Sequence, residues 1–339
     1  MRLLTILSVI SFSVLSAARL GEGTFLDPPI HSEFRHFVSK YNKYYPTSSE
    51  YAQRFKNFVE NYEYVNDLNE IYDGYATFEL NSFADLEIEE FSRYYAHGTS
   101  VGVAYTNTEC EEFKSSGNDD YPDEFDWRDH NAVTVVKNQG QCGSCWSFSS
   151  TGAMEGSWAI ATGNLVNLSQ QELMDCSWSY GDFGCHGGLM DNAFKYAIEN
   201  GMCSGDQVPY LGEDELCSNM PDCDEVAYFT SCVDVTPNNE LHLMEAVSTR
   251  PVSVAIEADT RVFQFYKSGI LNSTSCGDNL DHGVLVVGYG VENGVKYWIV
   301  KNSWGSDWGE DGYIRIARTT SEDSEGTCGI AMTPSYIVV

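Results

Sequence analysis

A short turn rich in glycine and cysteine, followed by a long run of small and apolar residues, constrains this chain more than any other feature. The turn reads Gln-Gly-Gln-Cys-Gly-Ser-Cys-Trp over residues 139–146, and the run continues to Gly163. Apolar residues recur in it at three- and four-residue spacing, and a glycine stands where a helix would end. We therefore predict a buried helix that begins near Ser144 and carries Cys145 on its first turn.

A cysteine at the start of a helix lies against the positive end of the helix dipole and several unpaired N–H groups. Both stabilise the thiolate over the thiol. Cys142 and Cys145 also form a C-x-x-C pair, which is typical of a redox dithiol, half a zinc site, or a structural cysteine beside a reactive one. A pair of buried or disulfide-bonded cysteines fits the same spacing. This stretch alone leaves these interpretations open.

The composition limits the classes of partner. The chain has 339 residues, 42% of them hydrophobic, which is enough to bury the core of one large or two ordinary domains. A formal net charge of -31 argues against nucleic acid or an anionic membrane surface as a partner. The acidity favours solubility, and an acidic compartment would neutralise many of these carboxylates.

The chain opens with the parts of a cleaved signal peptide. Residues 1–18 comprise a short basic start, an apolar core and small residues at the exit. This core is too short for a membrane span, and no later segment approaches the length of one. Two N-x-[ST] triplets, at Asn167 and Asn272, are typical of glycosylation on the same route. We expect the secretory pathway, ending in a lysosome, another acidic vesicle or the extracellular space, with disulfides for most of the eleven cysteines.

The next part of the chain is helical in pattern and nearly free of cysteine. Between residues 32 and 71 we expect a long amphipathic helix, closed by Gly74. Its apolar stripe consists of Phe55, Phe58, Val59, Tyr62, Val65 and Leu68. Residues 78–85 alternate apolar and polar side chains, which indicates a short strand or extended piece. A polar, turn-rich linker is expected over about 109–120, and all the cysteines except Cys110 lie beyond its end.

Beyond the linker, helix patterns give way to strand patterns. A capping box at residues 169–172 should start a second helix, and a third should run from about Leu189 to Asn200 with Gly201 as its stop. Strands are predicted at 252–256, 284–289, 297–300 and 313–316. Helices followed by strands imply two sub-domains, with a cleft between them as the place for a site.

A predicted hairpin brings a histidine close to an asparagine. Asn293-Gly294 is a strong two-residue turn signal, and its register pairs Leu285 with Asn302, so that His282 and Asn302 lie at the same open end. A carboxamide oxygen can accept the ring N–H and orient the imidazole without adding charge. A Cys–His–Asn set is the machinery of nucleophilic acyl transfer.

These residues carry a resemblance: the chain is similar to papain-family cysteine proteases of the cathepsin L-like group, in their precursor form. The local patterns are Cys142–Trp146, Asp281-His282-Gly283 and Lys301–Gly305. Residues 126–128, 184–188 and 328–331 extend the likeness over essentially the whole chain.

The segment before the linker resembles the inhibitory prosegment of the same family. The spacing of its helix motif is found in Glu50, Arg54, Phe58, Asn61, Val65 and Asn69. Asn81, Phe83 and Asp85 resemble its second motif. Glu79 departs from the pattern, because many relatives have a small residue there, which puts the details of prosegment packing in doubt.

The resemblance implies an α+β, papain-like fold of two sub-domains, with a helical left part, a β-barrel-like right part and the active-site cleft between them. An inhibitory propeptide at residues 19–120 would precede a mature peptidase at 121–339. Cys145 would be the nucleophile and His282 its imidazolium partner, with Asn302 orienting the imidazole and Trp304 shielding that hydrogen bond. The side chain of Gln139, together with the Cys145 backbone N–H, would donate to the oxyanion.

The resemblance also implies a substrate cleft. The pocket for the side chain two residues before the cut bond would be lined by Leu189, Met190, Ala255, Leu280 and Thr333. Because this set is apolar except for Thr333, and we expect no carboxylate at the bottom, the pocket should prefer Leu or Phe and gain little from Arg. Gly187 and Gly188 would offer backbone groups to an extended substrate, or simply form a tight turn.

Most of the cysteines are assigned by the same resemblance. The implied disulfides are Cys142–Cys185, Cys176–Cys217 and Cys276–Cys328. Cys110, Cys203, Cys223 and Cys232 remain, and the sequence does not choose among their pairings. No metal and no cofactor are implied, and the expected partners are protein and peptide substrates and the chain's own propeptide, on a monomer.

Two other function classes remain to be tested. A catalytically silent papain-like secreted glycoprotein should have Cys145 or His282 replaced, and both are present. A dithiol oxidoreductase should form a reversible disulfide between Cys142 and Cys145. The protease interpretation instead ties Cys142 to Cys185 and leaves Cys145 to react alone.

Overall fold

The computed structural model describes most of the chain. The described residues are 28–96, 110–117, 120–273 and 275–339. The predicted signal peptide at residues 1–18 and part of the predicted linker lie outside them.

The chain forms two compact units, one ending at Tyr44 and the other beginning at Tyr45. The first unit contains helix α1 (Pro28–Lys40), in which the rings of Phe34 and Phe37 stack with centroids 6.0 Å apart. The second unit contains every other element described below.

The prediction of one long helix between residues 32 and 71 is wrong, because the stretch holds α1 and a separate helix α2 (Ser48–Ile71). Asn42 adopts a left-handed conformation with φ 49°, which an α-helix does not tolerate. Thr47 then caps α2 by accepting a hydrogen bond from the Glu50 N–H at 3.1 Å. The polar side chain of Thr47 therefore starts a new helix where a continuous one was expected.

The apolar stripe of α2 is partly as predicted. Phe58, Val65 and Leu68 are buried, together with Asn57 and Asn61, whereas Tyr62 is exposed. The helix ends at Ile71 as predicted, with Tyr72 in the C-cap position and Gly74 in the turn that follows. Part of its buried face is thus polar, and those amides need partners elsewhere.

The segment after α2 forms strand β1 (Ala76–Phe78) and then turns, so the predicted extended piece at 78–85 is largely wrong. The Asn81 side chain accepts the Phe83 N–H at 3.0 Å, and this local hydrogen bond replaces a strand pairing. Helix α3 (Ile88–Tyr95) follows.

The remaining elements belong to the region after the linker, apart from a two-residue strand within it. The strands are β2 (Glu111–Glu112), β3 (Phe125–Asp126), β4 (Met202–Cys203), β5 (Glu225–Ala227), β6 (Ser231–Asp234), β7 (Val252–Ile256), β8 (Tyr266–Leu271), β9 (His282–Glu292), β10 (Val295–Lys301), β11 (Tyr313–Ala317) and β12 (Ser335–Val338). The helices are α4 (Cys145–Thr162), α5 (Gln170–Cys176), α6 (Met190–Asn200), α7 (Glu240–Thr249) and α8 (Arg261–Gln264). Short 3₁₀ helices occupy Trp127–His130, Ser177–Tyr180, Gly184–His186, Cys217–Asn219 and Thr327–Gly329.

The predicted central helix is confirmed. It is α4, with Ser144 in the N-cap position and Gly163 ending it in a left-handed conformation of φ 76°. Nearly all of its first four turns are buried, and it packs against α5, α6, β7, β9 and β12. Because α4 is enclosed by helices on one side and the sheet on the other, it forms the boundary between the two halves of the domain.

The capping box at the start of α5 is half right. Ser169 accepts the Glu172 N–H at 3.0 Å as predicted. The Glu172 carboxylate does not return to Ser169 but accepts hydrogen bonds from the Cys203 N–H at 2.8 Å and the Tyr196 hydroxyl at 3.1 Å. The carboxyl group therefore links α5 to α6 and β4 in the interior.

The sheet runs in the order β1-β8-β11-β10-β9-β7-β12-β6-β2, with β3 pairing against β9 and with β4 and β5 forming a separate pair. One edge strand, β1, comes from the segment before the linker, and the opposite edge strand, β2, from the linker itself. At the β1 edge, Gly269 approaches the other backbone so closely that a Cβ would lie 2.3 Å from the Tyr75 carbonyl oxygen. Glycine is required there by the strand pairing.

The predicted hairpin is confirmed at its turn and wrong by one residue at its open end. Asn293 and Gly294 both have positive φ, and Glu292 pairs with Val295. A register shift between Ile299 and Val300 then pairs Leu285 with Lys301 rather than Asn302. The β-bulge adds a residue on β9 and so changes which side chains face the cleft.

Five disulfides join the ten cysteines other than Cys145. The structure contains the three pairs that the resemblance implied. The pairs that the sequence left open are Cys110–Cys232 and Cys203–Cys223. Over the described residues, no helix is long and apolar enough to cross a membrane.

We predict that Glu172 makes stability depend on pH. Burial raises the pKa of Glu172 to about 7, against the lowering effect of its hydrogen bonds from Cys203 and Tyr196. The folded state therefore retains a proton between about pH 4 and 7 that the unfolded state releases, and stability falls as pH rises through this window, by on the order of 3 kcal/mol.

In a Cys145→Ala background, Glu172→Gln should reduce the fall in melting temperature between pH 5 and pH 8. The exposed Glu199 on α6 gives a matched Glu199→Gln control, which should leave that fall unchanged. An unaltered pH dependence in the Glu172→Gln protein would contradict the assignment.

Candidate active site

The N-terminus of α4 places the Cys145 thiol in the interior of the domain. The sulfur accepts a hydrogen bond from the Gly283 N–H at 3.2 Å, and Cys145 takes part in no disulfide. Cys142, three residues earlier, is bonded to Cys185. The two cysteines of the C-x-x-C pair therefore have separate partners, which contradicts the dithiol oxidoreductase interpretation.

His282 begins β9, and Asn302 follows β10 directly. The His282 Nε2 atom lies 2.8 Å from Asn302 Oδ1, and the same oxygen accepts the Ser303 N–H at 2.7 Å. Since Oδ1 can only accept, Nε2 carries the proton in the neutral imidazole. The Nδ1 atom of His282 is buried and has no hydrogen-bond partner within the described part of the chain. The imidazole thus presents its basic nitrogen away from Asn302.

Burial decides the protonation of His282 in this state. It lowers the pKa of the imidazole to about 4, and the hydrogen bond with Asn302 opposes this shift. The ring is therefore neutral at and above pH 5, so an imidazolium is disfavoured while the site stays closed.

Gln139 is held by both of its amide atoms. Its Nε2 donates to the Cys142 carbonyl at 3.0 Å, and its Oε1 accepts the Ser303 hydroxyl at 2.6 Å. Its backbone N–H donates to the Ser303 carbonyl at 2.8 Å. A primary amide has two N–H groups, so the second remains for a ligand. Sequence reasoning did not single out Ser303, although it lies inside the Lys301–Gly305 pattern.

Trp304 covers the histidine. Its ring centroid lies 4.7 Å from that of His282 and 5.0 Å from that of Trp308. On its other sides it meets the rings of Phe91, at 5.2 Å, and Tyr95, and its Nε1 donates to the Tyr95 carbonyl at 3.2 Å. The indole lies between the imidazole and the segment that precedes the linker.

The predicted pocket residues do not all come together. Met190, Ala255 and Leu280 are buried in one apolar cluster. Thr333 lies instead in a cavity of about 100 Å³ that Asp191 and Asp234 also line. Leu189 is half-buried and belongs to neither group.

Two carboxyl groups, those of Asp191 and Asp234, line the cavity that contains Thr333, and the expectation of no carboxylate at the bottom of the pocket stays a prediction. Burial, and then the nearby Asp234 carboxylate, raise the pKa of Asp191 above its usual range. Asp191 follows Met190 directly, so a carboxyl group next to a predicted pocket residue was visible in the sequence. Its burial was not, because burial depends on how α6 packs against β6 and β12.

Gly187 and Gly188 are buried at the start of the segment leading into α6. A Cβ on Gly188 would lie 2.6 Å from the Trp146 ring, so packing alone already requires glycine at that position. The next N–H, of Leu189, donates to Asp182 at 2.8 Å. Asp182 is a buried positioning residue for this segment that sequence reasoning missed.

The segment before the linker folds around its own polar side chains. Arg54 forms a two-pronged ion pair with Glu90, in which Nη2 lies 2.7 Å from Oε1. The Asn61 amide donates to the Ala84 and Leu86 carbonyls at 3.0 and 2.9 Å. These bonds satisfy the buried polar face of α2 and fix the turn at residues 81–87.

The same turn docks onto α8 and β8. The Glu79 N–H donates to the Phe265 carbonyl at 3.0 Å, and the Asn81 amide donates to the Gln264 carbonyl at 2.6 Å. Gln264 in return donates to the Phe83 carbonyl at 3.2 Å. The Glu79 side chain points outward and is exposed, so the departure from the family pattern is accommodated at the surface.

Comparison with known families identifies the two parts of the chain. Residues 121–338 match the family described as "Papain family cysteine protease", and residues 34–91 match the "Cathepsin propeptide inhibitor domain (I29)". The chain belongs to the papain family of cysteine proteases.

Relatives and solved structures resemble this papain-family chain over most of their length. The "Senescence-specific cysteine protease SAG39" of Oryza sativa subsp. japonica is 40% identical over 331 residues, covering 96% of this chain and 94% of that protein. A recombinant stem bromelain precursor superposes with a TM-score of 0.82 at 38% identity, covering 92% and 99% of the two chains. The digestive procathepsin L 3 of the Tenebrio molitor larval midgut superposes with a TM-score of 0.81 at 38% identity, covering 91% of this chain and 99% of that chain.

The papain-family chain is therefore a cysteine endopeptidase in its zymogen form, with an α+β, papain-like fold. The I29 segment serves as the propeptide inhibitor. The turn containing Phe83, and α3 with Phe91 and Tyr95, are the parts of this prosegment that contact Trp304.

We predict that the Phe91 ring secures the prosegment to the papain-family domain. Phe91 is fully buried, and Phe91→Ala should cost about 3–5 kcal/mol in local stability. In a Cys145→Ala precursor, which does not process itself, trypsin should then remove the prosegment faster. The exposed Glu89 on the same helix supplies the control Glu89→Ala, which leaves every trypsin site in place, and equal trypsin resistance of both variants would refute the role of Phe91.

Proposed function

We propose that Cys145, His282, Asn302 and Gln139 carry out peptide-bond hydrolysis through a thiolate–imidazolium mechanism. The observation that carries this proposal is the His282–Asn302 hydrogen bond of 2.8 Å beside a buried thiol that is in no disulfide. The bond leaves Nδ1 of His282 as the nitrogen that exchanges a proton with the thiol.

The reaction begins when Cys145 Sγ attacks the peptide carbonyl carbon and a C–S bond forms. The carbonyl oxygen becomes an oxyanion, which accepts from the second N–H of Gln139 Nε2 and from the Cys145 backbone N–H. His282 gives its Nδ1 proton to the leaving amine as the C–N bond breaks. A water then attacks the thioester carbonyl and passes a proton to His282. As the C–S bond breaks, the carboxylic acid leaves and the Cys145 thiolate is restored beside the His282 imidazolium.

Closure of the site by the prosegment explains why the precursor is held inactive. Burial lowers the pKa of His282, which disfavours the ion pair that attack requires. Trp304 covers the imidazole, and prosegment rings cover Trp304. Removal of the prosegment, which we assign to residues 19 to about 120, would expose this corner of the mature peptidase at 121–339 and raise that pKa.

An acidic compartment of the secretory pathway, or the extracellular space, suits this chemistry. Burial raises the pKa of Glu172 and Asp182 to about 7, so acid protonates these two carboxyl groups and relieves buried negative charge. Burial raises the pKa of Asp281 to about 9, so this group is neutral already at pH 7. Five disulfides favour the same route. Asn167 and Asn272 are both exposed, as glycosylation of a monomer that acts on protein and peptide substrates would need.

Removing the Gln139 donor should slow turnover. We expect Gln139→Ala to lower kcat for an amide substrate by about 10²–10³-fold with a small change in KM, because the oxyanion exists only after attack. Exposed Gln141 on the same turn provides the control Gln141→Ala, which should retain full activity. An epoxide thiol trap should label Cys145 in both variants. Unchanged kcat in the Gln139→Ala variant would remove Gln139 from the proposed machinery.

Substrate preference should follow the apolar cluster of Met190, Ala255 and Leu280. At pH 5, where the buried Asp191 carboxyl is protonated, Leu or Phe two residues before the cut bond should be favoured over Arg by about tenfold or more. A peptide library tests this directly, and Leu280→Glu should raise the relative rate for Arg. A library profile led by Arg in the unaltered enzyme would overturn the preference.

A further inference from the structure

A disulfide connects the linker to the catalytic domain. Cys110 is bonded to Cys232, which lies in β6. The papain-family match begins at residue 121, so Cys110 belongs to neither the matched inhibitor nor the matched peptidase. A cut anywhere between Gly117 and the peptidase would leave this bond in place.

The residues after Cys110 are also part of the sheet. Strand β2 pairs in parallel with β6, so that Glu111 lies opposite Val233 and Glu112 opposite Asp234. The Phe113 N–H extends the ladder by donating to the Asp234 carbonyl at 2.9 Å. These backbone bonds give the segment a defined register on the domain.

Further along, the segment is fastened to α7. The Glu245 carboxylate accepts the Ser116 N–H at 2.6 Å and the Ser115 hydroxyl at 2.7 Å. Although partial burial opposes it, these hydrogen bonds lower the pKa of Glu245. The Phe113 ring packs on the His242 ring at a centroid distance of 5.4 Å. The contacts involve backbone, carboxylate and aromatic groups, as they do within a folded domain.

These contacts lie at the opposite edge of the sheet from the inhibitory ones. The prosegment adds β1 beside β8 and reaches Trp304, whereas residues 110–117 lie along β6 and α7. Loss of the inhibitory contacts therefore breaks none of the bonds that hold residues 110–117.

We propose that residues 110–117, here named the tether strand, remain a permanent part of the active enzyme and are not released with the inhibitory prosegment. The proposal rests on the proposed function and moves the effective end of the removable prosegment to before Cys110. A cut before Cys110 releases the prosegment and gives one chain with an N-terminal extension, and a further cut between residues 118 and 126 gives two chains joined by Cys110–Cys232. Either cut hydrolyses an amide with one water and leaves the disulfide unchanged.

The tether strand also lies beside the cavity that contains Thr333. The Cys110 sulfur and the carboxylates of Asp191 and Asp234 lie within 4.8 Å of one another. Both carboxylates line the cavity that contains Thr333. The retained disulfide therefore supports the strand that carries Asp234 and keeps apolar sulfur against this carboxyl pair.

The test is the mass of the processed enzyme before and after reduction. The full precursor is activated at acidic pH, trapped with an epoxide at Cys145 and analysed without reductant. The unreduced enzyme should contain residues 110–117. If the cut lies beyond residue 117, reduction should release them as a separate peptide. An unreduced active enzyme that starts after residue 117 and carries no attached peptide would overturn the proposal.

Two further measurements test whether the Cys110–Cys232 disulfide is what retains residues 110–117. A Cys110→Ser/Cys232→Ser precursor cut beyond residue 117 should lose the segment without reductant. If the same variant is cut before Cys110, its melting temperature should be several degrees lower than that of the unaltered enzyme. A Cys203→Ser/Cys223→Ser precursor controls for the loss of a disulfide and should keep the segment. Absence of amide hydrolysis would refute the proposed function alone, since the masses can still be read on a Cys145→Ala precursor cut by another protease.

Discussion

Complete burial of α4 is the constraint on which the rest of this structure depends. Enclosing an apolar helix requires helices on one side and a sheet on the other, and this divides the domain into two halves that meet along it. The N-terminus of such a helix has unpaired N–H groups and a positive end. The buried start of α4 thus gives Cys145 its environment, and the neighbouring β9 brings His282 and Gly283 to it.

Burial also organises the prosegment, but there the buried groups are polar. A buried amide or guanidinium must find a partner, so Asn61 and Arg54 hold the turn that follows β1. That turn then presents backbone groups to α8 and aromatic rings to Trp304. The prosegment therefore covers the Trp304 indole, which in turn packs on the His282 ring.

Buried acids give the peptidase a charge balance suited to low pH. Glu172, Asp182 and Asp281 have raised pKa values because they are enclosed, and each holds backbone or side-chain donors in place. They organise the helical half and the loop before His282. A protein with five disulfides and such groups is stabilised both by covalent links and by the protons it binds.

The sequence by itself determined the central helix, its glycine stop, the hairpin turn at Asn293-Gly294 and the approach of His282 to Asn302 across that hairpin, because spacing, caps and turn residues act locally. It did not determine the bulge before Val300 or the inward turn of Glu172, since each depends on partners far along the chain. The pairing of Cys110 with Cys232 likewise required knowing that β2 lies beside β6. Tertiary packing alone decided which carboxylates are buried and which segment stays attached.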